Sequence, residues 1–347
     1  MCNIAGYVGA HEAAPILIEM IRVQEGLNGG FFTGIAVHDK SALHYRKVQG
    51  ELATLLKETD AASLAGKMGI VHSRTPSGGN GLWAHPFTTE RNGTVKMCYV
   101  ANGAIGMFRD QNEAFNAIAD QLIADGYDMP CKIDLQDHRY NRLSTGEAVH
   151  MSDVMCQLIY QYKSDGMNTE RAITSAFTRM PGEIVGLVVE EESPDRIYFS
   201  RINMPMFVGF DADGAYLASS PIAFPESVKS YHLLPSLSSG VVFCNRVEVT
   251  EYYADFPISV AEFDENTVDT AANTILTLLK EREAGIRDMF AVVRDVLPKD
   301  VLTQSDAIVY CAATKLLGER RINMRPSRRT VKENDAPHTL FFQIKGA

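Results

Sequence analysis

A cysteine at position 2 can do chemistry at the amino terminus once the initiator Met1 leaves. The cysteine side chain is small, so removal of Met1 is the expected outcome and leaves one residue carrying both a thiol and a free α-amine. The amine has a pKa near neutrality and can take the thiol proton, directly or through one water, so a single residue supplies nucleophile and base. Arg74 ends a short apolar run, where its guanidinium either projects into a loop and forks onto a carboxylate or is a solvated strand-end cation. The loop that follows, Thr75 to Trp83, is rich in glycine and small polar residues. Such a composition suits a segment that folds over a bound small molecule. Trp83 either anchors that lid or is buried in the core. Asn102-Gly103 follows a strand-like run over Lys96 to Ala101 and, taken alone, reads as a tight turn.

The elements that must position these residues can be read from periodicity. Strand-like runs at Asn3 to Val8, Thr33 to His38, Leu43 to Val48, Met68 to Arg74 and Val95 to Ala101 alternate with helical stretches near residues 14 to 26 and 50 to 66. Helices are predicted near 111 to 125, 152 to 163 and 169 to 180. Further strands follow at Ile184 to Val189 and Arg196 to Ser200, with a pair joined by Asp211-Ala212-Asp213-Gly214. Residues 126 to 150 are an irregular polar stretch whose aspartates and His138 are too loosely spaced to claim a metal. From about Phe263 the texture becomes helix-rich, with one long amphipathic helix predicted over Thr267 to Val296 and another from Ser305 to Leu317 before Gly318. Two strand-like runs, Arg321 to Val331 and His338 to Ile344, are joined by residues 332–337. Helices followed by a hairpin suggest a small winged-helix-like domain over 263–347. Its basic cluster, Arg320, Arg321, Arg325, Arg328 and Arg329, invites a DNA-binding reading. The helix that would enter a groove, Gln304 to Ala313, is mostly apolar and lacks base-reading cations, which favours a protein contact or a solvated basic face.

Composition narrows the class further. The chain has 347 residues, 46% apolar and 22% charged, with a net charge of -10, which disfavours nonspecific nucleic-acid or anionic-membrane binding. No basic segment precedes an apolar core at the start and no run is long enough to cross a bilayer, so a cytoplasmic protein without a membrane partner is expected. The six cysteines, at 2, 98, 131, 156, 244 and 311, show no paired spacing. They argue against a zinc site or a disulfide framework, and neither metal nor cofactor is expected.

Four motifs in order give these pieces a common frame. Met1-Cys2-Asn3-Ile4-Ala5-Gly6, Gly69-Ile70-Val71-His72-Ser73-Arg74, Ala84-His85-Pro86-Phe87 and Val100-Ala101-Asn102-Gly103 resemble the class II glutamine amidotransferases, which are N-terminal-nucleophile hydrolases. The likeness covers about residues 1 to 255 and is greatest to the glutaminase domain of glucosamine-6-phosphate synthase. It implies an α+β fold, a four-layer αββα sandwich over 1–262, with the winged-helix-like domain appended. It also implies that Cys2 attacks the side-chain amide of glutamine, with the oxyanion held by the Asn102 side chain and the Gly103 N–H. The positions matching its substrate loop and pocket are Arg74, Thr75, Ser77 and His85, and Asp153 neighbours the position of the amine-binding aspartate. A helix N-terminal carboxylate stabilising its own dipole is an equal reading of Asp153.

Departures from the pattern bear on specificity. Thr75 replaces an aromatic residue and Ser77 a threonine. Asn3 replaces a glycine. Leu27-Asn28-Gly29-Gly30-Phe31-Phe32-Thr33-Gly34 stands where the relatives carry Tyr-Arg-Gly-Tyr-Asp-Ser-Ala-Gly, so a polar support beside the nucleophile is missing. The expected function is hydrolysis of glutamine through a Cys2 thioester, with ammonia delivered to an acceptor on a partner subunit or within a homo-oligomer. The alternatives are another N-terminal-cysteine amide hydrolase and a non-catalytic amino-acid sensor that signals through the C-terminal domain. A fragment ending near Phe263 is expected to keep the chemistry, with the Ile308-Val309 and Leu316-Leu317 pairs covering either a partner or a core.

Overall fold

Runs rich in β-branched and aromatic residues form the strands, and the computed structural model describes residues 2–104, 111–135, 140–327 and 338–345. Met1, residues 136–139 with His138, and residues 328–337 with Arg328 and Arg329 lie outside the described residues. In chain order the first elements are β1 Asn3–Gly9, α1 Ala13–Gln24, β2 Phe32–His38, β3 Leu43–Gln49, α2 Leu52–Glu58, β4 Met68–Arg74, β5 Phe87–Arg91, β6 Thr94–Ala104 and α3 Asn112–Ala124. They continue with β7 Asn141–Arg142, β8 Ala148–Val149, α4 Met151–Ser164, α5 Thr169–Arg179, β9 Glu183–Glu190, β10 Arg196–Arg201, β11 Phe207–Phe210, β12 Gly214–Ala218, β13 Tyr231–Leu233, β14 Ser238–Phe243 and β15 Arg246–Tyr252. The last segment holds α6 Glu265–Glu281, β16 Ala284–Gly285, α7 Ile286–Arg294, α8 Ser305–Gly318, β17 Ile322–Pro326 and β18 Leu340–Ile344.

Two antiparallel sheets stack face to face. One has the order β13-β11-β12-β1-β4-β2-β3 and the other β15-β14-β10-β9-β6-β5. Ile4, Ile70, Val100, Leu187 and Phe199 fill the space between them, and burial of each such side chain contributes about 1.5–3 kcal/mol. The outer face of the first sheet is covered by α1 and α2 through Leu17, Ile21, Leu52 and Leu55. The outer face of the second is covered by α3, α4 and α5 through Phe115, Ile159 and Phe177. Every residue of β2 and β4 is buried, because both faces of the first sheet are covered. Their sequences therefore read as nearly continuous apolar runs. The αββα sandwich implied by the resemblance is the architecture observed.

The C-terminal segment packs α6, α7 and α8 on a three-stranded sheet of order β16-β18-β17. The single helix predicted over Thr267 to Val296 is two helices, separated by the short strand β16. Gly285 pairs with Phe341 of β18 and gives its N–H to Asp288 at 3.0 Å, which starts α7. The amphipathic period runs through this break, so it was hidden in the pattern. Ile308, Val309 and Leu316 are fully buried, so these apolar residues cover a core and not a partner. That core also contains Leu27 and Phe207 of the sandwich. Arg201 Nη2 donates to Gln304 Oε1 at 2.5 Å, Asn203 Nδ2 donates to the Thr303 carbonyl at 3.0 Å, and Leu340 N–H donates to the Gly26 carbonyl at 2.8 Å. The C-terminal segment is thus bonded to the sandwich by both apolar and polar contacts.

Candidate active site

Strand order explains how residues distant in sequence meet. β1 lies between β12 and β4, and β4 lies beside β2. Asn3 pairs with Ser73, and Phe32 pairs with Arg74, so Cys2, the Arg74-Thr75 junction and the start of β2 share one end of the sheet. β6 of the second sheet reaches the same end and carries Asn102.

The Asn102 amide clamps Cys2. Its Oδ1 accepts the Cys2 N–H at 2.8 Å and its Nδ2 donates to the Cys2 carbonyl at 2.7 Å. A backbone nitrogen can only donate here, so the orientation of the amide is fixed by its partners. Asn102 and Gly103 lie within β6, paired with Val185 and Ile184 of β9, so the tight-turn reading of Asn-Gly does not hold. Gly103 is exposed beside the clamp. The Thr75 N–H donates to Cys2 Sγ at 3.4 Å, and the Thr75 hydroxyl is 3.6 Å from the same sulfur.

Arg74 is only 2% exposed. Its Nη1 donates to the Gly78 carbonyl at 2.9 Å and its Nη2 to the Ser77 carbonyl at 3.3 Å. The guanidinium lies over the rings of Phe32 and Trp83 at 4.9 and 5.8 Å. Burial pushes its pKa down, opposed by the charge of Cys2. Among the described residues no carboxylate forms an ion pair with it, so the site holds a buried cation whose partners are all neutral carbonyls. Such a charge is costly unless an anion arrives. Trp83 is fully buried and donates Nε1–H to the Cys131 carbonyl at 2.7 Å, which pins the far end of the 75–83 loop.

The remaining expected residues fall elsewhere. Ser77 contributes its carbonyl to Arg74, and its own side chain is exposed. His85 is buried with neither ring nitrogen hydrogen-bonded and stacks on His72 with ring centroids 3.9 Å apart. Burial and the neighbouring cations push its pKa well below the usual value, so it is a neutral ring. Asp153 sits in the first turn of α4 and accepts the Cys131 N–H at 3.1 Å and Gln157 Nε2–H at 3.0 Å. It lines a cavity of about 410 Å³ with Lys47, Cys131 and Gln157, to which Cys2, Thr75 and Asn102 do not contribute. Burial raises its pKa. The structure therefore joins Cys2, Arg74, Thr75 and Asn102, and it does not bring Asp153 to the thiol.

Sequence reasoning passed over two supports. His72 donates Nε2–H to the Ala101 carbonyl at 3.1 Å, one residue before Asn102, and burial holds its pKa down to about 3. Ser73 Oγ accepts the Gly30 N–H at 2.7 Å and donates to Glu25 Oε1 at 3.0 Å. The His-x-Arg spacing placed His72 in view, but nothing in it marked Ser73. As to metals, Glu25, Glu51 and His338 have ligand atoms within 4.8 Å of one another. The Glu25 carboxylate is already committed to Ser73 and to the Leu52 N–H.

With Cys2 at the open end of β1 and two stacked sheets flanked by helices, the chain is a relative of the class II glutamine amidotransferases. It stands with an enzyme class. In particular, it is 29% identical over 239 residues to the glutamine–fructose-6-phosphate aminotransferase (isomerizing) of Clostridium tetani, a match covering 67% of this chain and 34% of that protein. The enzyme of the same name from Shouchella clausii is 26% identical over 296 residues, covering 83% and 44%. The chain thus spans about a third to under half of the length of these curated relatives. In fold it is similar to the glutamine phosphoribosylpyrophosphate amidotransferase of B. subtilis, with a TM-score of 0.61 at 15% identity, covering 97% of this chain and 69% of that one. No family model matches.

Proposed function

We propose that this chain is a glutaminase that releases ammonia from glutamine for transfer to an acceptor on a partner subunit or on a second copy. The observation that carries the reading is the buried Arg74, a cation without a carboxylate partner among the described residues, one residue from the Thr75 N–H that points at Cys2 Sγ. Such a pair suits a substrate with a carboxylate at one end and a reacting amide at the other.

In this reading Met1 is removed and the Cys2 α-amine takes the thiol proton. Sγ bonds to the δ-carbon of glutamine, the oxygen becomes an oxyanion, and Asn102 and the Gly103 N–H stabilise it. One hydrogen of Asn102 Nδ2 is used on the Cys2 carbonyl, which leaves the second for the oxyanion. The carbon–nitrogen bond then breaks, the ammonium returns its proton, and ammonia leaves a γ-glutamyl thioester. Water attacks this thioester and frees glutamate and the thiol. Thr75, Ser77 and His85 shape the substrate loop, whereas recognition of the substrate amine by Asp153 has no support in its contacts. For that reason another N-terminal-cysteine amide hydrolase is the second reading.

The unit over 263–347 is proposed as a winged-helix-like domain, supported by its element order α6-β16-α7-α8-β17-β18 and its sheet order β16-β18-β17. The DNA-binding and signalling version of the regulator reading has no support from α8, whose buried face is occupied by the unit's core and the sandwich. Mass spectrometry of the intact protein tests the catalytic reading. It should begin at Cys2 and take up a single equivalent of a glutamine-like electrophile on that residue, in competition with glutamine. Retained Met1 in an active preparation, or an adduct elsewhere, overturns it.

A further inference from the structure

The loop that turns from α1 into β2 has few side chains to hold it. Gly26 and Gly30 lie in the left-handed region at φ +92° and +100°, and a Cβ on Gly29 would collide with Ser73. Between Leu27 and Phe31 the only side chain is that of Asn28. It is buried, and its Nδ2 donates to Tyr310 Oη at 3.0 Å. Tyr310 is fully buried on α8, 282 residues away. The loop in turn lies against the end of β4, with the Gly30 N–H on Ser73 Oγ and the Phe31 N–H on the Arg74 carbonyl at 3.0 Å. The next residue, Thr75, gives its N–H to Cys2 Sγ.

A continuous path therefore runs from α8 through Asn28 and a glycine-rich loop to the donor on the nucleophile. Asn28 also stands where the class II pattern carries its arginine, the polar support that the sequence lacks.

We propose that Tyr310 is a positioning residue for Cys2: through Asn28 it fixes the loop against which Arg74 and Thr75 are set, so that the C-terminal unit completes the nucleophile site. This deepens the glutaminase reading and rests on Cys2 being its nucleophile. Reactions at a fixed nucleophile are sensitive to placement, and an error of about 1 Å can cost up to ~100-fold.

The test uses the full-length chain. Tyr310→Phe keeps the ring and its edge contact with Phe290 and removes only the hydroxyl. It should lower kcat for glutamine hydrolysis about tenfold with KM within about twofold, and slow iodoacetamide alkylation of Cys2 by a similar factor. Asn28→Ala should give the same loss, and the double variant no more than either, because one link is broken in all three. Alkylation decides the matter even when wild-type protein releases no glutamate from glutamine, which would sink the glutaminase reading alone. If Tyr310→Phe fails to fold, Asn28→Ala alone carries the test. Alkylation rates within twofold of wild type in the folded variants, or losses that multiply in the double variant, overturn the proposal.

Discussion

At the scale of single residues, the proposed function divides the work between Arg74, for binding, and Asn102, for chemistry. A charge-assisted fork to a carboxylate is made in the ground state and the transition state alike, so Arg74→Ala should raise the glutamine KM about 10- to 100-fold with a smaller change in kcat. In the proposed mechanism Asn102 faces charge that develops only during reaction, so Asn102→Ala should lower kcat by about 100-fold or more. It also loosens the clamp on the Cys2 main chain, which adds to the kcat effect. Steady-state kinetics check the division; identical defects in the two variants would show that it is wrong. Cys2→Ala should abolish glutamate release without changing the melting temperature appreciably, as read by a coupled glutamate assay and a thermal melt. Much of this site was legible because its residues sit in short motifs with fixed spacing. The role of Thr75 was not, because its backbone N–H, and not its side-chain type, makes the contact with sulfur.

At the scale of elements, Glu190 joins two helices to the second sheet. It ends β9, is nearly fully buried, forms an ion pair with Lys163 of α4, and accepts hydroxyls from Thr169 of α5, Ser193 and Tyr198 of β10. Burial pushes its carboxyl up, but Lys163 and the hydroxyls override this and leave its pKa below 4.5. A carboxyl depressed in the folded state stabilises the protein above its unfolded pKa, and that contribution is lost as pH falls through the folded value. Glu190→Gln should therefore cost about 1–2 kcal/mol at pH 7, because the partly exposed Lys163 loses its buried partner and keeps only its ion pair with Glu192. The gap to wild type should narrow below about pH 4.5, as measured by denaturant titration across pH. A gap independent of pH would mean that packing, and not charge, sets the cost. The strands β1, β2 and β4 were legible as apolar runs, and α4 and α5 as periodic ones. The break at Ala284–Gly285 was not, because it preserves the helical period. The Asn28–Tyr310 bond was not legible either, since no local pattern connects residues so far apart.

At the scale of the whole molecule, the unit after Phe263 is part of the sandwich's covering. Leu27 and Phe207 share its core, and Ile222, Phe224, Tyr231 and Leu233 pack against that core. The sequence suggested a removable appendage because composition changes at this point, but composition carries no information about docking. Cutting the chain after residue 262 exposes Leu27 and Phe207, each worth about 1.5–3 kcal/mol. At about 2–4 °C per kcal/mol for a domain of this size, the melting temperature should drop on the order of 10 °C or more. Differential scanning calorimetry of the fragment checks this; an unchanged melting temperature would restore the appendage.

Burial of α8 against the nucleophile end also sets an order of events during synthesis. Cys2 leaves the ribosome about 300 residues before Tyr310. At about 5–20 residues per second, the amino terminus has tens of seconds in which a processing enzyme can reach Met1 before the helix that closes over this end exists. Under the proposed function and the proposed role of Tyr310, the thiol is unmasked early and set in place late, so a nascent or truncated chain carries Cys2 without the alignment that would make it active.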